Sequence, residues 1–599
     1  MDRSINLQKR LEDAMANKDQ FAQANVLKEI GDEHVKRNEP DIALARYAES
    51  LSLYRAVDAK LGEANVFQAI GDVQQFRDER DAALQSYEQA LELFRAVGYR
   101  LGEANMLKAI GDVQQFRKVD DAAQRNYTQA LELFRAVGDR LGEANVLKAI
   151  GDVQQFRDER DAALQTYEQA LALFRAIGAK LGEANVLQAI GDVQQFRREL
   201  DAALQSYEQA LALYRAVGDR LGEANVLKAI GDVQQFRDER DAALQSYTQA
   251  LELFRAVGDR LGEANVLKTI GDVQRFRGEY EAALVGYQQA LVLSRAVGTK
   301  LGEANILRAI GDVRRYQGRW YEASEGYHRA LEIFRSVGAR LGEANSLRSL
   351  GDIYTNIGET ARAIEYYEQA LGIAREIGDR YGEGSILSSL GSAYAILGES
   401  RRAVELYEQA LSRAREIGDR QGEAATLHNL GSAYYDLGDI RRAIELYEQS
   451  LSIKQEIGDQ QGEGSILSNI GIAYAALGDI RHAIEFYESA LAITQSIGDL
   501  HGRATVLHNL AYAYSNLGDY PRAIGLYQQA LNILREMGDQ QGIAMAIGNL
   551  GEIAFAEGEP QKAIEYLGKA LSIMQESGSP FAETIQRKLA SIETKKHER

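Results

Sequence analysis

A row of carboxamide and carboxylate side chains recurs along the chain, and such residues could bind a peptide backbone. In one copy, Asn145, Lys148, Asp152 and Gln155 stand at offsets 0, 3, 7 and 10, which places them on one face of a helix. Carboxamides offer a donor and an acceptor to peptide N–H and C=O groups, and aspartates attract cations. The pattern predicts a surface that holds a segment of a partner protein and favours a basic one.

The same positions recur at intervals of forty residues. The copies are Asn65, Asp72 and Gln75; Asn105 and Asp112; Asn185 and Asp192; Asn225 and Asp232; and then Asn265, Asn305 and Asn345. The alternative interpretation is a solvated helix face, in which each lysine pairs with the aspartate four residues later, as Lys148 would with Asp152. The sequence leaves both interpretations open.

From Ser385 onward the stripe changes its chemistry. Small residues replace the charges, and His428, Tyr435, His508 and Tyr512 stand at the corresponding positions. Small residues leave room for partner side chains, while tyrosine and histidine are amphipathic anchors that contribute strongly to binding. We therefore predict that these positions belong to the same binding surface.

The two histidines also raise the possibility of a hydrolase or a metal site. Two repeats separate His428 from His508, which at helix spacings of about 8–10 Å puts them on the order of 20 Å apart, whereas zinc ligands converge within about 2 Å of the ion. The chain has no phosphate-binding Gly-Lys-Ser/Thr loop, and its carboxylates recur identically, whereas catalysis needs one asymmetric constellation. The sequence predicts no enzyme, no cofactor, no metal and no small-molecule substrate.

A basic and aromatic cluster interrupts the regular pattern near the middle of the chain. It consists of Arg275, Arg308, Arg314, Arg315, Arg319 and Trp320. Arginines could hold an anion or an acidic peptide. Trp320, however, occupies the position of Tyr280 and Tyr520 in other repeats, so packing is the favoured interpretation.

These side chains are placed by helices that repeat with a period of forty. The twenty-five residues from Leu141 to Gln165 recur unchanged from Leu221 to Gln245, and the period divides residues 21–580 into fourteen repeats without insertion. Each repeat carries two apolar patterns of helical period and a glycine after the second one, such as Gly98. Fourteen helix-turn-helix repeats predict an all-α solenoid.

Composition narrows the classes of partner and compartment. The 599 residues carry a formal net charge of −19 and no cysteine, which argues against nucleic-acid binding, disulfides and thiol chemistry. The chain shows neither a signal-peptide pattern nor a long apolar run. The sequence predicts a cytoplasmic protein that binds no membrane.

The motif residues resemble a known family. Leu390, Gly391, Tyr394, Ala403 and Tyr407 are similar to the tetratricopeptide repeat pattern, in the forty-residue form of spindle-orientation adaptors, kinesin light chains and bacterial signalling proteins. The resemblance implies a right-handed superhelical α-solenoid whose first helices line a concave groove for partner segments. Where the family pattern has tyrosine and glycine, repeats two to six have glutamines such as Gln74 and residues such as Asp78, so their inter-helix turns are expected to differ.

The predicted organisation has four parts. Residues 1–20 form an N-terminal capping helix, residues 21–340 eight near-identical repeats, residues 341–580 six more diverse repeats, and residues 581–599 a closing helix, with Phe581 on its apolar stripe, and a frayed tail from Lys595. The predicted function is a non-enzymatic scaffold for an extended or helical segment of a partner protein. A sensor arm of a larger bacterial signalling assembly and a structural spacer are the alternatives.

Overall fold

Helices joined by short turns make up the whole of the described chain. The computed structural model describes residues 2–576 and 582–597, and within these ranges there is no strand. Helices from the first part of the chain are α1 (Asp2–Ala16), α2 (Gln20–Lys36), α3 (Pro40–Ala56), α4 (Lys60–Phe76), α5 (Arg80–Val97), α6 (Arg100–Phe116), α7 (Asp120–Val137), α8 (Arg140–Phe156), α9 (Arg160–Ile177), α10 (Lys180–Phe196), α11 (Leu200–Val217), α12 (Arg220–Phe236), α13 (Arg240–Val257), α14 (Arg260–Phe276) and α15 (Tyr280–Val297).

The second part continues the same alternation. Its helices are α16 (Lys300–Tyr316), α17 (Trp320–Ser336), α18 (Arg340–Asn356), α19 (Thr360–Ile377), α20 (Arg380–Ile396), α21 (Ser400–Ile417), α22 (Arg420–Asp436), α23 (Ile440–Glu456), α24 (Gln460–Ala476), α25 (Ile480–Ser496), α26 (Leu500–Asn516), α27 (Tyr520–Met537), α28 (Gln540–Ala556), α29 (Pro560–Glu576) and α30 (Ala582–His597). The predicted all-α fold of helix pairs is confirmed.

The repeat at residues 141–180 shows why the sequence forms these pairs. The Asp139 carboxylate accepts the N–H groups of Leu141 and Gly142 at 3.1 and 3.0 Å, which satisfies free donors at the start of α8. Helix α9 ends before Gly178, whose φ of 70° is in the left-handed region, where glycine pays no Cβ penalty. Both boundaries therefore follow from single residues.

A tyrosine packed on a glycine holds the two helices of a repeat together. The ring of Tyr167 on α9 is fully buried and lies so close to Gly151 on α8 that an added Cβ would come within 2.4 Å of it. The same contact recurs in both parts of the chain, for example between Tyr407 and Gly391. This close approach explains why the motif needs glycine at that position.

Contacts divide the chain into two compact units, residues 1–297 and 298–599. We call them the N-terminal unit and the C-terminal unit. The division of the repeats at residue 340 concerns sequence similarity and stays a prediction.

One helix precedes the helix pairs and one follows them, α1 and α30. Leu7 of α1 is buried, and Ile585 and Ile592 of α30 pack into a cluster with α29. Residues 595–597, predicted as frayed tail, belong to helix α30, while Phe581 and residues 598–599 lie outside the described residues. Among the described helices, none combines the length and apolarity needed to cross a membrane.

The expectation of altered turns in the early repeats is wrong. Asp78, Lys118 and Asp158 adopt φ values of 63°, 59° and 66°, close to the 76° of Gly278 at the equivalent place. The turn keeps its left-handed conformation because the two helices it joins are held by the same packing. Residues with a Cβ accept the strain that glycine avoids.

Candidate interaction surface

The polar stripe of the first helices is tied to the second helices by hydrogen bonds. The hydroxyl of Tyr167 donates to Oδ1 of Asp152 at 2.8 Å and lies 2.9 Å from Oε1 of Gln155. The Nζ atom of Lys148 donates to the other carboxylate oxygen of Asp152 at 2.6 Å. Burial and the neighbouring carboxylate raise the pKa of Tyr167, so its hydroxyl remains a donor. The aspartate row therefore takes part in packing each helix pair.

This arrangement recurs through nine consecutive repeats. The tyrosine–aspartate bonds join Tyr47 to Asp32, Tyr87 to Asp72, Tyr127 to Asp112, Tyr167 to Asp152, Tyr207 to Asp192, Tyr247 to Asp232, Tyr287 to Asp272, Tyr327 to Asp312 and Tyr367 to Asp352. The predicted lysine–aspartate pairs are confirmed at Lys148 and at four further lysines, namely Lys28, Lys108, Lys228 and Lys268.

The asparagine row remains accessible. Asn105, Asn145, Asn185, Asn225 and Asn265 are exposed, and Asn65, Asn305 and Asn345 are half-buried. Only some of these side chains are engaged within the chain, as where Tyr214 donates to Oδ1 of Asn185 at 2.7 Å. Their role in binding a peptide stays a prediction.

Two aspartates of the stripe lack the lysine that neutralises their neighbours. Glutamines, Gln68 and Gln188, stand four residues before Asp72 and Asp192. Burial raises the pKa of Asp192 to about 6, although the hydroxyl of Tyr207 opposes the shift. Loss of hydration raises the pKa of Asp72 in the same way. A cation brought to either carboxylate would offset that cost.

Apolar residues at both ends of the first helices α4, α6, α8, α10, α12 and α14 extend the polar stripe, and sequence reasoning missed them. Leu141, Asn145, Asp152 and Phe156 stand at offsets 0, 4, 11 and 15, which fall within about 60° around a helix. The leucine is 50% and the phenylalanine 63% exposed. We call this four-residue surface, with its counterparts in other repeats, the ladder face.

The apolar rows of the ladder face run along the N-terminal unit. Exposed leucines are Leu61, Leu141, Leu181, Leu221 and Leu261, and exposed phenylalanines are Phe76, Phe116, Phe156, Phe196, Phe236 and Phe276. Apolar residues are usually buried, so these positions are not among the predicted site residues. The signal that distinguishes them is their place on the polar side of the helix, four residues from Asn145 or Asp152.

Some of the exposed phenyl rings carry an arginine from the preceding repeat. Arg80 lies over Phe116 at 3.3 Å and Arg160 over Phe196 at 3.7 Å, measured to the ring centroids. The residues at the place of these arginines in intervening repeats are Pro40, Asp120 and Leu200. Alternate rings are thus covered by a cation from the chain itself.

Recesses lie between adjacent first helices of the ladder face. One of about 610 Å³ is lined by Asp152, Gln155 and Phe156 of α8 and by Val193 and Phe196 of α10. It combines a carboxylate, a carboxamide and two phenyl rings. Such a lining suits a side chain that is apolar along its stem and polar at its tip.

In the C-terminal unit Asp312 and Asp352 keep the carboxylate, and in the next two repeats Ser392 and Ser432 replace it with a hydroxyl group. Ser392 lies 3.0 Å from the hydroxyl of Tyr407, and the predicted site residue Ser385 accepts a hydrogen bond from Arg348 at 2.7 Å. Ser385 and Ser388 line a cavity of about 300 Å³ between α20 and α22. The small residues therefore leave space, as the sequence indicates.

The two histidines occupy equivalent packed positions. Nε2 of His428 lies 2.5 Å from Nδ2 of Asn469, and Nε2 of His508 lies 3.1 Å from Nδ2 of Asn549. Each ring also contacts a tyrosine edge-on at 5.6 or 5.3 Å between centroids. Burial lowers the pKa of both histidines. Both side chains thus connect first helices of adjacent repeats, with only part of each ring open to a partner.

The remaining predicted anchors differ in exposure. Tyr435 is half-buried, and Tyr512 is 51% exposed. Among the described residues, no group of three or more His, Cys, Asp or Glu side chains could hold a metal ion.

The arginine cluster is engaged by neighbouring side chains. Arg308 pairs with Asp312 at 3.5 Å, and Arg314 and Arg319 share Glu322. Trp320 packs against the core of the C-terminal unit. The packing interpretation is therefore favoured over an anion site.

The repeat pattern matches a family model along most of the chain. The tetratricopeptide repeat model covers residues 102–176, 182–256, 223–296, 302–376, 382–456 and 462–536, and a second tetratricopeptide repeat model covers 546–575. The chain belongs to the tetratricopeptide repeat family. No curated protein matches it.

Solved structures of similar fold come from several kinds of protein. BtubC from P. vanneervenii is 25% identical with a TM-score of 0.34, over 36% of this chain and 91% of its own. A signal transduction ATPase with a tetratricopeptide repeat sensor from Pyrococcus horikoshii is 19% identical with a TM-score of 0.42, over 54% and 50%. The Cut9–Hcn1 complex is 15% identical with a TM-score of 0.42, over 88% and 96%.

Proposed function

We propose that this tetratricopeptide repeat protein is an interaction scaffold whose ladder face binds a segment of a partner protein. The observation that carries the proposal is the repeated combination of exposed leucine and phenylalanine with accessible asparagine and mostly half-buried aspartate on one side of the first helices. Regular apolar exposure of this kind marks interaction surfaces.

The arrangement suits an extended or helical chain. The asparagines in the centre of the face can pair with backbone N–H and C=O groups, and the flanking leucines and phenyl rings can contact side chains. A spacer would have no use for phenylalanines that are 75% and 72% exposed, as Phe76 and Phe236 are. The ladder face therefore favours the scaffold over the structural spacer.

A photo-crosslinker at the ladder face tests this function. Benzoylphenylalanine in place of Phe156 keeps an aromatic side chain where the native ring is exposed, and Val217, at the end of a second helix and 41% exposed, is the matched control position. We expect one or a few defined protein segments to crosslink at position 156 and not at 217. Equal crosslinking at both positions, or none at 156, would count against the proposal.

A binding measurement then separates contact from affinity. The crosslinked segment is synthesised and titrated into the full chain and into a triple variant, Phe76→Ser, Phe156→Ser and Phe236→Ser. Because exposed aromatic anchors dominate such interfaces, we expect a loss of about tenfold or more in Kd. Replacing Val137, Val217 and Val257, which are about equally exposed at 40–41%, by serine should leave Kd unchanged.

A further inference from the structure

One recess of the ladder face lies between the first helices of the first two repeats. It has a volume of about 720 Å³, and its lining includes Lys28, Asp32, Val35, Lys36 and Pro40 on one side and Gln68, Asp72 and Phe76 on the other. The walls are mainly apolar, and a carboxylate stands on each side. We call it the Asp72 cavity.

The two carboxylates of the cavity differ in their charge partners. Asp32 receives the Nζ atom of Lys28 at 2.9 Å and the hydroxyl of Tyr47 at 2.8 Å. Asp72 receives the hydroxyl of Tyr87 at 2.9 Å, and no cation within the described ranges forms an ion pair with it. Asp72 therefore carries a charge that its own repeat does not neutralise.

The phenyl ring of the cavity is open as well. Phe76 is 75% exposed, the largest value among the phenylalanines of the row. In the next repeat the guanidinium of Arg80 covers Phe116, but the place of Arg80 belongs here to Pro40. The ring beside Asp72 thus lacks the cation that its neighbour has.

Neighbouring repeats show what this position accepts. In the repeat at residues 101–140 the carboxylate of Asp112 holds Lys108 at 2.7 Å, and the ring of Phe116 holds Arg80. The chain thus supplies a cation to Asp112 and to Phe116, whereas the lysines of the Asp72 cavity, Lys28 and Lys36, pair with Asp32 and Glu33. A guanidinium suits both partners, because it lies flat on a ring and donates to a carboxylate at its edge.

We propose that the Asp72 cavity binds an arginine side chain of the partner protein, with Asp72 accepting its hydrogen bonds and Phe76 stacking on the guanidinium. The proposal rests on the proposed function and adds the chemistry of one partner residue. The net charge of −19 attracts a basic segment toward the face.

One substitution lets the chain itself supply an ion-pair partner for Asp72. In the Gln68→Lys variant a lysine stands four residues before Asp72, as Lys108 does before Asp112, so the fold already tolerates the pair. The matched control is Gln89→Lys, which makes the same chemical change at an exposed position of helix α5. Circular dichroism should be the same for both variants and the native chain.

The probe is a set of peptides selected by the full chain. A phage library of random twelve-residue peptides is panned on the native protein, and enriched peptides are synthesised with arginine or with citrulline, which keeps the shape of arginine without its charge. We expect citrulline to weaken binding to the native chain and to Gln89→Lys about tenfold or more. Gln68→Lys should weaken the arginine peptide similarly and make the citrulline exchange nearly neutral.

The outcomes separate this proposal from the broader one. If exchanging arginine for citrulline weakens binding to Gln68→Lys as much as to the native chain, the arginine site is overturned. The scaffold function still stands in that case if the triple phenylalanine variant binds the peptide more weakly than the native chain. Enrichment of uncharged or acidic peptides also overturns the arginine site. If no peptide is enriched, both proposals fail. Spermidine binding that Gln68→Lys abolishes, without any arginine-dependent peptide, would assign the cavity to a small polyamine instead.

Discussion

Tyr167 in the N-terminal unit and Tyr407 in the C-terminal unit occupy the same place but hold different partners. Both rings pack on a glycine of the first helix, Gly151 and Gly391. The hydroxyl of Tyr167 donates to a carboxylate, whereas that of Tyr407 meets Ser392. The comparison teaches that packing determines where the ring lies, while the group that receives the hydroxyl is free to vary and sets the charge of the surface.

The first prediction concerns what the two units share. Gly151→Ala would place a Cβ 2.4 Å from the ring of Tyr167, and Gly391→Ala would place one 2.7 Å from the ring of Tyr407. Each substitution should therefore lower the free energy of unfolding by about 1–3 kcal/mol. Gly372→Ala, where a Cβ would meet nothing within 4 Å, is the control and should be neutral or stabilising. Hydrogen exchange followed by mass spectrometry reports the change locally. An effect in only one unit would break the comparison.

The second prediction concerns the hydroxyl. Tyr167→Phe leaves Asp152 without one donor in a half-buried place, which should cost about 1–3 kcal/mol. Tyr407→Phe removes a contact between two neutral hydroxyls, and Ser392 keeps its bond to the carbonyl of Ser388 at 3.1 Å, so the cost should be about 0.5–1.5 kcal/mol. Urea unfolding with local exchange measurements compares them. An equal loss of unfolding free energy in the two variants would show that a carboxylate acceptor stabilises the helix pair no more than a hydroxyl does.

The third prediction uses the pH dependence of Asp192. Its pKa of about 6 lies above the ordinary value of 3.8, so between these pH values the folded state binds more protons and its stability falls as pH rises. Asp192→Asn should remove this fall and raise stability at pH 7.5 by about 1 kcal/mol. The control variant Asp152→Asn instead loses the ion pair between Lys148 and Asp152. A fall of unchanged size in Asp192→Asn would contradict the assignment.

The surroundings of His428 and His508 in the C-terminal unit should respond to pH in the opposite direction. Burial lowers the pKa of His428 and His508 below the ordinary 6.5. Their contribution to stability is therefore complete above pH 6.5 and is lost as pH falls below it. Amide hydrogen exchange is measured at pH 7.5 and pH 5.5 and corrected for the pH dependence of the intrinsic exchange rate. It should show lower stability near these residues at pH 5.5. In the double variant His428→Gln and His508→Gln, the loss of stability between pH 7.5 and pH 5.5 should be smaller.

The fifth prediction concerns the turns, where the expected effect is smallest. Lys118 adopts a φ of 59°, whereas the corresponding turn at Gly438 has a glycine at 84°. Lys118→Gly should relieve left-handed strain and stabilise the N-terminal unit by about 0.5–1 kcal/mol, and Gly438→Lys should destabilise the C-terminal unit. Thermal unfolding monitored by circular dichroism checks both. No gain from Lys118→Gly would mean that the packed helices remove the strain.

Much of the fold and part of the surface could be predicted from the sequence. The forty-residue period, the helix pairs and the Lys148–Asp152 pair follow from spacing, because helical neighbours three and four residues apart share a face. The ladder face could be predicted only in its polar centre, because the sequence does not show whether another element covers the apolar side chains of Leu141 and Phe156. The turn at Lys118 was expected to differ because local preference disfavours it, but packing of the helices it joins prevails.

By itself, the sequence determined that the chain repeats, that each repeat forms two helices, and that Asn145 and Asp152 stand on one side of the first. Periodicity is a property of spacing, so it needs no knowledge of contacts. Only the tertiary structure decided that Tyr167 bonds to Asp152, that Phe76 is exposed while Tyr87 is buried, and that Asp72 has no ion-pair partner among the described residues. Exposure and charge pairing depend on which helix lies next to which, and a side chain that is apolar in the sequence is buried only if another element covers it.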